Sequence, residues 1–189
     1  MMPAPGSDFA GYTILAECGK GAYGSVFLAK DAIGRRVALK YMLSTAAGSY
    51  ELKGLRNYMS LAPLPPALLQ IFHCGMDRDC LFYAMEAADN AAESPDEYLP
   101  DTLAHRLAHA RRISATEALA MGRQLLDSLE FLHRAGIIHR DIKPENIVYV
   151  NGMPKLADPG LTRDLSHSIS IAGTPGYLAP DLLNGAKNS

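Results

Sequence analysis

The stretch His139-Arg140-Asp141-Ile142-Lys143-Pro144-Glu145-Asn146 gathers two carboxylates, two fixed cations, a histidine and an amide within eight residues. Upstream, Ser114 to Ala135 reads as a long amphipathic helix. Ser114 and Glu117 form a Ser-x-x-Glu capping box, and Ala118, Leu125, Leu129 and Leu132 keep a three- or four-residue period. Gly136 stands where a left-handed residue ends such a helix. Downstream, Ile147 to Val150 and Pro154 to Ala157 read as short strands turned through Asn151-Gly152. The polar run is therefore a loop between a helix and a strand pair, with Asp158-Pro159-Gly160 directly beyond. Taken alone, Asp141 and Asp158 could be ordinary loop caps.

Toward the N-terminus the texture changes to strands. Tyr12 to Cys18, Ser25 to Lys30 and Arg36 to Met42 are short, apolar and separated by glycine-bearing turns. Ser49 to Ser60 reads as a helix, with Leu52, Leu55 and Met59 at helical spacing, and prolines at 63, 65 and 66 end it. Leu68 to Cys74 and Cys80 to Glu86 read as an antiparallel pair turned through Gly75 to Asp79. Ala87 to Pro100 is small, acidic and proline-bearing, a connector; Asp101 to Ala110 reads as a short helix. These pieces divide the chain into a tail (1–10), a β-rich lobe (11–86), a hinge and connector (87–100) and a helical lobe (101–189).

Gly19-Lys20-Gly21-Ala22-Tyr23-Gly24-Ser25-Val26 has the spacing Gly-x-Gly-x-x-Gly-x-Val. A dinucleotide fingerprint needs a helix after the glycines, and here a strand follows. A Walker loop needs a terminal Gly-Lys-Ser/Thr, which is missing. A glycine hairpin between strands instead lets backbone N–H groups approach phosphates without obstruction from a Cβ. In Val37-Ala38-Leu39-Lys40, alternation sends Ala38 and Lys40 to one face. Ala38 leaves room for a flat ring, and Lys40 offers a cation to phosphates. Glu51, at the start of the following helix, is the candidate partner for a lysine held in a cleft. The plainer reading has both as solvated charges.

In combination these segments closely resemble the protein kinase superfamily, Ser/Thr type. His-Arg-Asp-x-x-x-x-Asn follows the glycine loop and Val-Ala-x-Lys in the family's order, and Gly173-Thr174-Pro175-Gly176-Tyr177-Leu178-Ala179-Pro180-Asp181 comes after Asp158-Pro159-Gly160. The resemblance runs from about Tyr12 to the end of the chain. It implies an α+β, two-lobed kinase-like fold with a β-rich N-lobe and an incomplete α-helical C-lobe. It also implies roles. Asp141 would take or orient the proton of a substrate hydroxyl, Lys143 would reach the γ-phosphate, and Asn146 and Asp158 would hold Mg²⁺. Lys40 would bind ATP phosphates and pair with Glu51. Gly19, Gly21 and Gly24 would cover the phosphates, Val26 and Ala38 would roof the adenine and Val148 would floor it. The backbone of Glu86 and Ala88 would hydrogen-bond the base.

Within that resemblance, Arg140 would meet a phosphate on the segment before Pro180, with Ser166, Ser168 and Ser170 as candidate acceptors. Thr174 is expected to contact Asp141 and Lys143. Three departures stand out. Pro159 replaces an aromatic, Asp181 replaces a glutamate, and the chain stops eight residues after Asp181, which leaves apolar surface to be expected on the C-lobe. The implied activity is ATP- and Mg²⁺-dependent phosphoryl transfer to a protein Ser or Thr. The alternative is a nucleotide- or partner-binding pseudokinase-like module.

Composition agrees with a folded protein: 189 residues, 48% apolar and 20% charged. With 18 basic against 20 acidic residues, the basic excess that nucleic acid or an anionic membrane needs is missing. No apolar run approaches the roughly 20 residues of a membrane span, and Met1 to Asp8 lacks the parts of a signal peptide. Three cysteines (Cys18, Cys74 and Cys80) favour reduced thiols over a disulfide framework, although Cys74 and Cys80 could face each other across a hairpin. A cytoplasmic setting is expected. His105 and His109 read as an exposed helix face rather than a metal site, and His139 as a packed structural residue.

Overall fold

The structure, a computed structural model, describes residues 3–21, 24–43, 48–77, 80–94, 96–110, 112–158, 174 and 176–177, with the side chains of 21, 43 and 48–51 excepted. An antiparallel six-stranded sheet comes first: β1 (Asp8–Phe9), β2 (Tyr12–Gly21), β3 (Gly24–Lys30), β4 (Arg36–Leu43), β5 (Ile71–Asp77) and β6 (Cys80–Glu86), in the order β1-β2-β3-β4-β6-β5. Helix α1 (Gly48–Ser60) lies between β4 and β5. Then follow α2 (Leu103–Ala110), α3 (Ala115–Arg134), a 3₁₀ turn (Pro144–Asn146) and the hairpin β7 (Ile147–Val150) and β8 (Met153–Leu156).

Period-two alternation sorts the sheet into two faces. Val37, Leu39 and Tyr41 of β4 join Phe82 and Ala84 of β6 in one buried cluster with Phe9, Ile14 and Phe27. Ala38 and Met42, with Leu81, Tyr83 and Met85, point the other way into a second cluster. That second cluster continues through Leu68 and Leu69 into Leu132, Ile147, Tyr149 and Leu156. One core thus joins the sheet to the helices, and Lys40 enters the sheet on its side, between Ala38 and Met42.

Backbone bonds sew the same seam. Leu69 N–H reaches the Leu156 carbonyl at 3.1 Å, and Leu156 N–H reaches Ala67 at 2.7 Å. Asp89 donates its N–H to Tyr149, while its carboxylate accepts the N–H groups of Asn151 and Gly152 at 2.9 and 2.8 Å. The expected Asn-Gly turn is present, with both residues left-handed (φ 52° and 73°). Helix α3 begins as its sequence indicates, because Ser114 Oγ accepts Glu117 N–H at 3.1 Å. It ends on Gly136 at φ 73°, with Ile137 N–H returning to the Leu132 carbonyl.

Two expectations for β5 need correction. The strand starts at Ile71, not Leu68, because residues 67–69 are committed to β8 through the bonds above and a Leu68–Leu156 bridge. Gly75, Met76 and Asp77 belong to the strand instead of the turn; Asp77 pairs with Cys80. A Cβ at Gly75 would stand 3.0 Å from the Phe82 ring, so glycine there makes room for that ring. Cys74 stands opposite Tyr83, so it does not face Cys80 across the hairpin. All three cysteines are free thiols, and burial pushes Cys18 up to about 11.

Tyr58 of α1 is fully buried and donates its hydroxyl to the Leu69 carbonyl at 2.7 Å, which ties α1 to the seam. Tyr58→Phe leaves that carbonyl without its donor. A loss of about 1–3 kcal/mol is expected in urea unfolding, and a change indistinguishable from zero would show that the bond does not secure the seam.

Candidate active site

The polar loop after α3 is closed onto one residue, Ala157. His139 is buried and donates from Nε2 to the Ala157 carbonyl at 2.9 Å, while Ala157 N–H donates to the Asn146 carbonyl at 2.8 Å. Both ends of the loop thus meet the residue preceding Asp158. Pro144 opens the 3₁₀ turn, where its missing N–H costs nothing. Arg140 and Asp158 both adopt left-handed backbone, at φ 66° and 57°, a conformation costly for residues other than glycine.

Around Asp141 three partners converge. Thr174 Oγ donates to Oδ1 at 2.7 Å, Asn146 Nδ2 donates to Oδ2 at 2.9 Å, and Lys143 Nζ lies 2.9 Å from Oδ2. Lys143 also donates to Thr174 Oγ at 2.7 Å, so the expected Thr174 contacts are present. Burial raises the Asp141 pKa, but the bonds from Thr174, Lys143 and Asn146 outweigh it, and the carboxyl lies below its ordinary range. Asp141 is therefore ionised at neutral pH and able to accept a hydrogen bond or a proton.

Asp158 is bound from the sheet. Lys40 of β4 donates to both carboxylate oxygens, and Tyr83 of β6 donates its hydroxyl to Oδ1 at 2.6 Å. Burial again raises the pKa, and Lys40 foremost, with Tyr83, outweighs it and keeps the group below the usual carboxylate range. Among the described residues the partner of Lys40 is Asp158. Glu51 lies in α1, and its side chain falls outside the described residues.

The glycine loop forms the β2–β3 hairpin, with Gly19 opposite Val26 and Gly21 opposite Gly24. Gly24 has φ 145°, and a Cβ there would lie 2.0 Å from the Tyr41 carbonyl oxygen, so no other residue fits the hairpin against β4. Val26, Ala38 and Val148 are brought to the same apolar cluster, beside Met85.

At the hinge the expectation needs narrowing. Glu86 N–H is spent on the Gln70 carbonyl at 3.0 Å, because β6 runs on to that residue, so it cannot serve a base. The Glu86 carboxylate pairs with Lys155 at 2.7 Å and accepts Gln70 N–H. The Ala88 carbonyl accepts the Tyr98 hydroxyl at 2.8 Å, whereas Ala88 N–H makes no hydrogen bond among the described residues. Tyr83 and Tyr98 were not among the candidates. Tyr83 was detectable from alternation, two residues before Met85 on the Lys40 face; nothing local marks Tyr98.

A family model described as "Protein kinase domain" matches residues 12–189. The chain belongs to the protein kinase family. It is 30% identical over 181 residues to a "Probable serine/threonine-protein kinase" of Dictyostelium discoideum, covering 91% of this chain and 33% of that protein. It is 32% identical over 192 residues to "Serine/threonine-protein kinase SBK1" of Danio rerio, covering 94% and 45%. The chain therefore spans less than half the length of either relative. The crystal structure of the Mycobacterium tuberculosis PknI kinase domain matches with a TM-score of 0.71 at 26% identity, covering 98% of this chain and 68% of that one.

A kinase domain implies a divalent cation, and the donor chemistry here fits one. Asn146 Nδ2 is spent on the Asp141 carbonyl and carboxylate, which leaves its amide oxygen as the acceptor. The Ala157–Asn146 backbone bond sets that residue beside the strand leading to Asp158. Two oxygen ligands, completed by phosphate oxygens and water, suit Mg²⁺. No cluster of three His, Cys, Asp or Glu occurs among the described residues. The His105 and His109 rings lie 4.0 Å apart, tilted by 36°, but His109 Nδ1 is turned to the His105 carbonyl. Pro159, Ser166, Ser168, Ser170 and Asp181 lie outside the described residues.

His139 is a structural clamp and not a proton carrier. Burial lowers its pKa below 6.5, more than the Ala157 carbonyl and the Asp158 and Asp141 charges raise it. The unfolded chain takes up a proton below about pH 6.5 while the folded imidazole resists, so stability falls as pH drops through that window, by at most about 1.4 kcal/mol per pH unit. His139→Gln is expected to flatten the slope between about pH 6.5 and 5 in urea-unfolding measurements. An unchanged slope would show that another group sets it.

Proposed function

We propose that this chain is the catalytic portion of an ATP- and Mg²⁺-dependent protein serine/threonine kinase acting in a reducing, cytoplasmic setting. The observation that carries the reading is the meeting of Lys40 and Asp158 from opposite sides of the seam, with Asp141, Lys143 and Asn146 held on the loop clamped to Ala157. Free thiols at Cys18, Cys74 and Cys80 support the compartment. Among the described residues no helix is long and apolar enough to cross a membrane.

Phosphoryl transfer demands positioning and charge neutralisation more than covalent chemistry. Asp141, ionised and fixed by three donors, orients the substrate hydroxyl and accepts its proton as oxygen bonds to the γ-phosphorus and the bond to ADP breaks. Lys143 supplies a cation beside that carboxylate for charge on the transferring group. Lys40 supplies one to the α/β-phosphates. Bound at Asn146 and Asp158, Mg²⁺ would neutralise the β- and γ-oxygens. Val26, Ala38 and Val148 offer apolar surfaces for adenine, and Ala88 N–H offers the base a donor.

Incubation with labelled ATP and a generic Ser/Thr protein is expected to label serine and threonine. Asp141→Asn should lower turnover by about 10²–10⁴-fold with nucleotide binding retained. Nucleotide-induced thermal stabilisation with no phosphate moved, in the full gene product, would reject catalysis in favour of a binding module.

A further inference from the structure

Tyr83 holds the carboxylate that the proposed function assigns to the cation, yet no motif includes it. Its side chain is 2% exposed, in the middle of β6, directly opposite Lys40 in the β4–β6 register. The Lys40 ammonium lies 5.8 Å from the Tyr83 ring centroid. A buried tyrosine hydroxyl needs a partner, and a carboxylate acceptor makes that bond charge-assisted. Here the acceptor is Asp158 Oδ1, at 2.6 Å.

The division of the carboxylate matters. Among the described residues, Oδ1 accepts both Tyr83 and Lys40, and Oδ2 accepts only Lys40. Lys40 is a flexible cation that phosphate oxygens would also claim. Tyr83 is a rigid neutral donor on a central strand, and phosphate does not draw it away. Were a phosphate to draw the ammonium away, the Tyr83 bond would hold Oδ1 and Oδ2 would be the oxygen open to a cation. Asp158 needs such an anchor, because its backbone is left-handed and Pro159 beyond it has neither an N–H nor an aromatic ring.

We propose that Tyr83 is a positioning residue for Asp158, orienting its carboxylate for the divalent cation and so setting Mg²⁺ affinity. The inference rests on the reading of Asp158 and Asn146 as cation ligands. A hydrogen bond to a ligating carboxylate orients it in advance, and its loss usually costs about 10- to 100-fold in metal affinity.

Calorimetric titration of ADP into the 189-residue chain over a series of MgCl₂ concentrations tests this, with Tyr83→Phe and Asp158→Asn beside the wild type. Tyr83→Phe keeps the ring, and a thermal melt verifies that it folds. The expected result is a rise of about tenfold in the Mg²⁺ concentration that gives half the gain in ADP affinity, with Mg²⁺-free ADP affinity unchanged. Asp158→Asn should abolish the gain. If Tyr83→Phe keeps the wild-type Mg²⁺ dependence while Asp158→Asn loses it, the positioning role is overturned and the cation site stands. Equal weakening with and without Mg²⁺ overturns it too, as a general structural effect. ADP binding by the wild type that ignores Mg²⁺ removes the cation site, and this inference with it.

Discussion

Both carboxylates of the site depend on the backbone of a single residue, Ala157. The carbonyl of Ala157 receives His139 and its N–H goes to Asn146, so the loop of residues 139–146 is pinned at both ends to the strand leading to Asp158. His139 and Ala157 are buried, where a missing partner costs more than a formed bond contributes. The neutral imidazole meets the demand with one nitrogen donating to Ala157 and the other facing the Asp141 N–H at 3.4 Å. A charged imidazolium would have no acceptor to offer that N–H. The clamp therefore fixes a protonation state as well as a position.

Lysine is distributed with the same economy. Each catalytic-site carboxylate has its own ammonium, Lys143 for Asp141 from the loop and Lys40 for Asp158 from the sheet. The four side chains are between 12% and 36% exposed, and for such part-buried pairs the loss of hydration offsets much of the attraction. Their consequence is electrostatic. Both acids stay ionised, and two cations are stored where phosphate charge would arrive. Strand alternation places Lys40 on the face shared with Ala38, so the cation and the space for a flat ring come from one β4 segment.

Legibility in the sequence followed the range of the interactions. Helix α3, its Ser114 cap and Gly136 stop, and the Asn151-Gly152 turn are local devices, each readable within a few residues, and the structure reproduces them. The polar loop was legible because its chemistry is dense. The start of β5 was not: Leu68 looks like strand, but its neighbours pair with β8 nearly ninety positions away. Nor was the extra work at the hinge, where Glu86 N–H serves Gln70 and Tyr98 caps Ala88. A hydroxyl's partner ten or seventy-five residues distant leaves no periodic trace.

The two left-handed residues show what the scaffold spends to aim its side chains. Arg140 stands directly before Asp141, and Asp158 is itself left-handed. Each such non-glycine conformation costs about 1–3 kcal/mol and persists only where its surroundings over-determine it. At Asp158 the determinants are the Ala157 peptide on one side and Lys40 with Tyr83 on the other. At Arg140 they are the flanking His139 anchor and the Asp141 carboxylate held by three donors. Left-handed backbone at these two points takes part in aiming both carboxylates. Their directions therefore depend on the fold as well as on their own side-chain partners.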